Sequence, residues 1–315
     1  MAKENEFGTA VTSPESRASD DSGAVGGRSS LLLALAGFGL LSLGDGLTKS
    51  TAGLWPGPAV AALRYSIGAA GLIAILLWTG GRAALSMPRP WLQVGRGAAV
   101  ATSTFCFFVA VQVMPLATAT AVGFTTPMLT AIFSAVLLGE KAPWRVWGVS
   151  VMAFAGVLLV LQPNFAGLGL KALLPLGSAA SMALLMILNR AGAATGSPLL
   201  MQALIAAIAA PMLIGAALLA HLSGAPEFVI GIPPLRVVAA ATIVAVTASA
   251  AHWLIYLATI RAAAALVAPT IYVQMLFAVV VGWMFFGDLP DSLTLFGSAL
   301  IIGAGLWLFR GEVRR

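Results

Sequence analysis

From Leu31 almost to the C-terminus, apolar runs near 20 residues long alternate with short polar breaks. Twenty residues of α-helix rise about 30 Å, the thickness of a hydrocarbon core, so each run predicts a membrane-spanning helix. The runs fall near residues 31–50, 58–80, 94–114, 116–139, 144–162, 172–190, 199–222, 235–258, 264–287 and 292–309. Two breaks are short, at Met114-Pro115 and around Ala262. A single helix across either would run to about 45 residues, too long for one crossing, and Pro115 lacks the amide an unbroken helix needs. Residues 1–30 depart from the pattern. Glu4, Glu6, Ser13, Glu15, Ser16, Ser19, Asp20, Asp21 and Ser22 leave too little apolar surface to fold, which predicts a disordered tail. The tail has neither the basic start nor the early apolar core of a cleaved signal peptide. The expectation is an all-α integral membrane protein with ten transmembrane helices.

The runs also repeat. The fourth, from Thr118, ends at Gly139-Glu140-Lys141, turns at Pro143 and leads into a run carrying Gly148 and Gly156. The ninth, from Leu266, ends at Gly287-Asp288-Leu289, turns at Pro290 and leads into a run carrying Gly297 and Gly305. Their turns differ in charge: Lys141 and Arg145 follow the first copy, Asp288 and Asp291 the second. Lys and Arg collect on the cytoplasmic side of membrane proteins, so the copies are expected to cross in opposite directions. Five crossings per half is an odd number, which makes the halves two inverted five-helix repeats, as in many secondary transporters. The halves are read as 31–162 and 172–310, sharing one bundle behind a cytoplasmic tail at 1–30.

Charge sets the direction. With the N-terminus inside, one face carries Lys3, Arg17, Arg28, Arg82, Arg89, Arg96, Lys141, Arg145, Arg190, Arg261, Arg310, Arg314 and Arg315, and the other only Lys171 and Arg236. This predicts a multi-pass protein of the cell membrane with both termini cytoplasmic. Composition agrees: 60% hydrophobic and 9% charged residues exclude an ordinary soluble domain, which carries about 25% charge. A net charge of +6 would suit nucleic acid, but the bases sit in short loops between apolar runs and describe topology. Cys106 is the single cysteine, which excludes an internal disulfide and a cysteine-based metal site. The chain carries no G-x-x-x-x-G-K-[ST] phosphate loop, and its histidines, His221 and His252, form no H-E-x-x-H motif, so no metal or cofactor is expected.

Polar groups within the apolar runs are the candidate chemistry, because a charge in the bilayer costs several kcal/mol unless it has a partner or a task. Asp45 and Lys49 are four apart on the first helix, on one face, and can neutralise each other. Arg64 lies about six residues into the second helix, within snorkelling reach of the outer surface. Two readings stand: the trio lines the outer half of a pocket and holds an anionic or zwitterionic group, or it is a structural salt bridge between helices 1 and 2. On the eighth helix His252 and Tyr256 share a stripe beside Trp253, and Thr104, Phe105 and Phe108 occupy the matching depth of the first half. These aromatics suit stacking on a flat solute, and Phe105 and Phe108 suit plain helix packing as well. His252 is able to exchange a proton near neutral pH, though a lone membrane histidine more often packs and hydrogen-bonds. Gln112 and Asn189, near helix ends, are expected to be solvated, and Glu140 and Asp288 to organise water-facing turns.

The stretches Gly44-Asp45-Gly46-Leu47-Thr48-Lys49 and Leu63-Arg64-Tyr65, then Thr126-Pro127 before Leu138-Gly139-Glu140, recur in order with Tyr256 to Ala264, Ala268-Pro269 to Gln274, and Phe286-Gly287-Asp288. Together they resemble the EamA-type ten-helix members of the drug/metabolite transporter superfamily over about residues 31–310. The resemblance implies a secondary carrier with a central pocket between its halves. Such carriers move amino acids, nucleotide-derived or vitamin-like metabolites, or drugs, in either direction. The chain departs at Asp288, where glutamate is common, and keeps the charge. On the ninth helix Tyr272 and Gln274 are two apart, about 200° around, so both cannot face one pocket; the resemblance favours Gln274.

The reading is a non-enzymatic secondary transporter that moves a small polar organic metabolite by alternating access. Its expected solute-binding residues are Asp45, Lys49, Arg64, Thr104, Phe105, His252, Trp253, Tyr256 and Gln274. A membrane-embedded transferase using His252, Asp45 and Arg64, or an exporter of drug-like compounds, are the alternatives. The expected partners are a small-molecule solute and the lipid bilayer, with a homodimer as an allowed assembly and no nucleic acid.

Overall fold

The structure is a computed structural model that describes residues 14–138, 144–192, 196–261 and 273–313. Among these residues there are eleven α-helices and no strand. They are α1 (Pro14–Lys49), α2 (Gly57–Gly80), α3 (Pro90–Val113), α4 (Leu116–Gly123), α5 (Thr126–Leu138), α6 (Trp144–Leu168), α7 (Leu174–Gly192), α8 (Pro198–Leu222), α9 (Leu235–Arg261), α10 (Val273–Phe286) and α11 (Ser292–Val313). Seven segments are long and apolar enough to cross a membrane, and Trp147–Val160, Gln274–Phe286 and Ser292–Ala304 are shorter apolar helices. The break at Met114-Pro115 is present: Met114 is extended (φ −140°, ψ 164°) and α4 starts just after Pro115. The break around Ala262 and the Gly139-Glu140-Lys141 turn lie outside the described residues.

Two boundaries differ from the sequence expectation. Residues 14–30, expected to be disordered, continue α1 backwards as helix, since extending a formed helix costs far less than nucleating one. The polar extension stays outside the apolar window, which begins at Leu32. The run at 116–139, expected as one helix, is split between α4 and α5. Pro127 has no amide to give the Gly123 carbonyl, and its ring crowds that oxygen. Two threonine hydroxyls fill the gap: Thr125 Oγ1 donates to the Val122 carbonyl at 2.8 Å and Thr126 Oγ1 to the Gly123 carbonyl at 2.7 Å. The broken backbone is thereby satisfied without water.

Helix packing follows a regular scheme. The most extensive contacts are α1 on α9, α3 on α7, α2 on α8, and α6 on α11. Small residues set the spacing. A methyl group at Gly156 of α6 would lie 2.7 Å from the Gly297 carbonyl oxygen of α11, and one at Gly297 2.6 Å from the Gly156 carbonyl oxygen. Gly97 of α3 likewise leaves room for Ile208 of α8. Dispersion over such close approaches takes the place of a hydrophobic driving force between helices in lipid.

Side-chain bonds sort the loops into two faces. On one, Trp55 Nε1 donates to the Gly231 carbonyl at 3.0 Å, Gln112 Nε2 to the Trp55 carbonyl at 3.2 Å, and Lys171 pairs with Glu227 at 3.0 Å. The Lys171 partner holds the Glu227 carboxyl below its usual range. On the other, Arg96 Nε donates to Asn189 Oδ1 and Arg96 Nη1 to Gln93 Oε1, both at 2.7 Å. Gln112 and Asn189 are therefore bonded into the bundle rather than solvated. Arg96, expected as a loop charge, is only 6% exposed because α3, α7 and the start of α8 close over it.

The Gly156–Gly297 contact predicts that Gly297→Val, which forces a branched side chain against backbone, destabilises the bundle by about 1–3 kcal/mol. Thermal unfolding of the purified protein checks this, with Gly303→Val, whose Cβ would meet open space, as the control.

Candidate functional site

Arg64 stands two turns into α2, where Pro58 sits in the first turn and starts the helix. Its guanidinium lies over the Tyr65 ring at 4.8 Å and the Phe108 ring at 5.5 Å. Cation–π contact of this kind is stronger in a desolvated place than at a surface. The Tyr65 hydroxyl accepts a hydrogen bond from Thr104 Oγ1 of α3 at 3.1 Å, which fixes the ring. Two gaps in the packing meet at Arg64. One, too small to hold a water, is bordered by Thr48, Val60, Phe108 and Val244, and so lies among α1, α2, α3 and α9. The other is bordered by Tyr65, Gln202, Ser249 and His252, among α2, α8 and α9. The second holds about 30 Å³, room for one or two waters, so the helices close tightly around Arg64.

Asp45 and Gln274 form a second unit. Gln274 Nε2, in the first turn of α10, donates to Asp45 Oδ2 at 3.1 Å and ties α10 to α1. The charge of Arg64 acts on both Asp45 and His252, so the two units share one electrostatic environment.

Lys49 belongs to neither unit, which corrects the expectation that it neutralises Asp45. It forms a salt bridge with Asp288, donates to the Met114 carbonyl at 3.0 Å and lies 5.3 Å from the centre of the Phe286 ring. The reason is the end of α10. Gly287 takes a left-handed backbone (φ 68°), and the Asp288 amide turns back to the Gly282 carbonyl at 3.1 Å, which brings the carboxylate to Lys49. Asp288 thus organises its turn, as expected, and also latches α10 to the end of α1 and the α3–α4 junction.

Of the other expected site residues, Phe105 packs in the apolar cluster with Phe108, Leu185 and Leu213. Trp253 is 52% exposed and borders neither cavity, because it stands about 100° around α9 from His252. The Tyr256 side chain lies outside the described residues. Sequence reading passed over Tyr65, Gln202 and Ser249. Each left a signal: Tyr65 adjoins Arg64, Gln202 interrupts the apolar run of α8, and Ser249 precedes His252 by one turn.

Residues 28–162 match the EamA-like transporter family. The match covers less than half of the chain, and together with relatives named as transporters it supports the drug/metabolite transporter resemblance that the motifs carry. The chain is 27% identical to the riboflavin transporter of Rhizobium johnstonii over 75% of each protein. It is 26% identical to the S-adenosylmethionine uptake transporter of Rickettsia bellii over 74% of this chain and 77% of the relative. It is also 27% identical to the pseudopaline exporter CntI of Pseudomonas aeruginosa over 90% of this chain and 96% of the relative. A solved crystal structure, 24% identical, superposes with a TM-score of 0.56 over 91% of this chain and 98% of that one, which shows a shared fold.

For the latch, Lys49→Met and Asp288→Asn should each destabilise more than their combination implies. A double-mutant cycle on thermal or denaturant unfolding is expected to return a coupling of about 1–2 kcal/mol.

Proposed function

We propose that this EamA-type protein is a secondary transporter that moves a small polar organic metabolite across the cell membrane by alternating access. The observation that carries the reading is Arg64, a basic side chain within the bundle, on aromatic rings, where a small cavity and a narrower gap bordered by α1, α2, α3, α8 and α9 meet. These helices come from both halves of the chain, so relative motion of the halves would open the place of Arg64 to either side. Inverted five-helix repeats are supported by the packing scheme. If α4 and α5 count as one crossing and α10 as part of the ninth, exchanging the first five crossings for the last five turns α1–α9 into α7–α3. The same exchange returns α2–α8 and α6–α11 to themselves. The excess of Lys and Arg on one face supports ten crossings with both termini cytoplasmic.

Relatives named for uptake and for export both match, so the proposal covers a carrier of either direction. The solutes in their names, riboflavin, S-adenosylmethionine and pseudopaline, are small metabolites, in keeping with a site of aromatic faces and a few polar groups. The transferase alternative has less behind it: His252, Asp45 and Arg64 lie in one electrostatic environment, yet Asp45 is engaged by the Gln274 amide rather than by a nucleophile or a histidine.

Arg64→Ala is expected to lower transport efficiency by about 10- to 100-fold at unchanged melting temperature, since a hydrogen bond to a charged group contributes about 1.5–3 kcal/mol. Uptake and efflux in proteoliposomes measure this, and full activity would remove Arg64 from the site. Topology is checked in a Cys106→Ser background with an impermeant thiol reagent. Cysteine at Asp291 should label in intact cells and cysteine at Arg89 only after lysis; the reverse result overturns the proposed orientation.

A further inference from the structure

We infer that the site recognises a zwitterion, with the solute's carboxylate on Arg64 and its ammonium on Asp45. This rests on the transporter reading above and narrows it to one class of solute.

The geometry points there through what the two charges fail to do. Asp45 stands on α1 one turn before Thr48, which borders the gap at Arg64, so the carboxylate and the guanidinium share one neighbourhood inside the membrane-spanning part of the bundle. In such surroundings a carboxylate and a guanidinium gain most by direct contact, because each is costly to leave unpaired. Among the described residues neither makes a salt bridge, although Lys49 of the same bundle does. Each is held apart by neutral groups. The amide of Gln274 holds Asp45 towards α10, and the rings of Tyr65 and Phe108 hold the Arg64 guanidinium towards α3.

This leaves binding capacity on both sides. The Arg64 fork has five N–H donors and, among the described residues, no hydrogen-bond acceptor on it, so a planar carboxylate fits it with two parallel bonds. An amide donor on Asp45 is a placeholder that an ammonium group surpasses, since the new bond is charged on both sides. Tyr65 is the positioning residue: the Thr104 bond holds its ring under the guanidinium and so aims the fork. A solute with only one of the two charges would leave the other uncompensated, which is the basis for rejecting it.

The test is a charge series on the purified full-length protein, read as thermal stabilisation and as Kd. The zwitterions are S-adenosylmethionine and the L-isomers of phenylalanine, tryptophan, glutamine and methionine. Each amino acid is paired with its decarboxylated amine and its deaminated acid, and riboflavin serves as a solute with neither charge. The expected result is at least one zwitterion bound at least about tenfold more tightly than both of its single-charge counterparts. Asp45→Asn should erase its advantage over the acid, and Arg64→Gln its advantage over the amine, while Arg64→Lys keeps part of the latter. Melting without solute reports whether each variant folds, and the wild-type series decides the matter where one does not. Equal binding of zwitterion and counterpart, preference for riboflavin, or no stabilisation by any zwitterion would overturn the inference. Proteoliposome uptake of riboflavin or of a single-charge solute would then leave the transporter reading standing, whereas its failure alongside would count against both.

Discussion

Hydrocarbon offers no hydrogen bonds, so every polar group that this chain takes into the membrane must be satisfied by the chain itself. That constraint makes the protein helical, and it governs the places where a helix breaks. Between α4 and α5 the ladder is interrupted by Pro127, and the Thr125 and Thr126 hydroxyls take up the carbonyls of Val122 and Gly123. At the α3–α4 junction, the carbonyl of Met114, left without a helical donor where the chain turns extended after α3, is taken up by Lys49. In both places a residue that looks like a defect in an apolar run is the one that makes the defect tolerable.

The same constraint gives the charges in the bundle different tasks. Lys49 is neutralised by Asp288 and spends its remaining capacity on a carbonyl and an aromatic ring, which makes it a structural latch at one face. Arg96 is held at the other face by Gln93 and Asn189. Arg64 is treated differently, since its contacts are aromatic rings and cavity walls. Latched charges at the two faces with a less engaged one between them is the arrangement a carrier needs, because the faces must hold closed in turn while the centre stays available to solute.

Close approach of small residues lets such a bundle be both tight and movable. Where Gly156 meets Gly297, α6 and α11 touch through backbone, and Val160 and Ile301 fill the space beside the contact. The helices around Arg64 are instead lined by alanines and valines with a few aromatics, surfaces that slide with little reorganisation.

Much of this was legible in the sequence. Hydrophobic run length depends only on local composition and on the thickness of a bilayer, so the all-helical, membrane-spanning class, the break at Pro115 and the family resemblance could be read directly from the residues. Arg64, Asp45, His252 and Gln274 stood out because a polar residue in an apolar run is conspicuous without any coordinates. Pairing was another matter. Helical spacing put Asp45 and Lys49 on one face, and from spacing alone they look like partners. Lys49 in fact turns to Asp288, some 240 positions along the chain, because the left-handed Gly287 brings that carboxylate to the end of α1. Which neighbour meets the site was hidden for the same reason. Trp253 and His252 are neighbours in sequence and both exposed, yet only His252 borders the space by Arg64, a difference set by which helices lie against α9. The sequence by itself determined which groups must be satisfied inside the membrane; the tertiary structure decided which group satisfies which, because in a bundle a side chain's partner is chosen by the helix packed against it and not by its place along the chain.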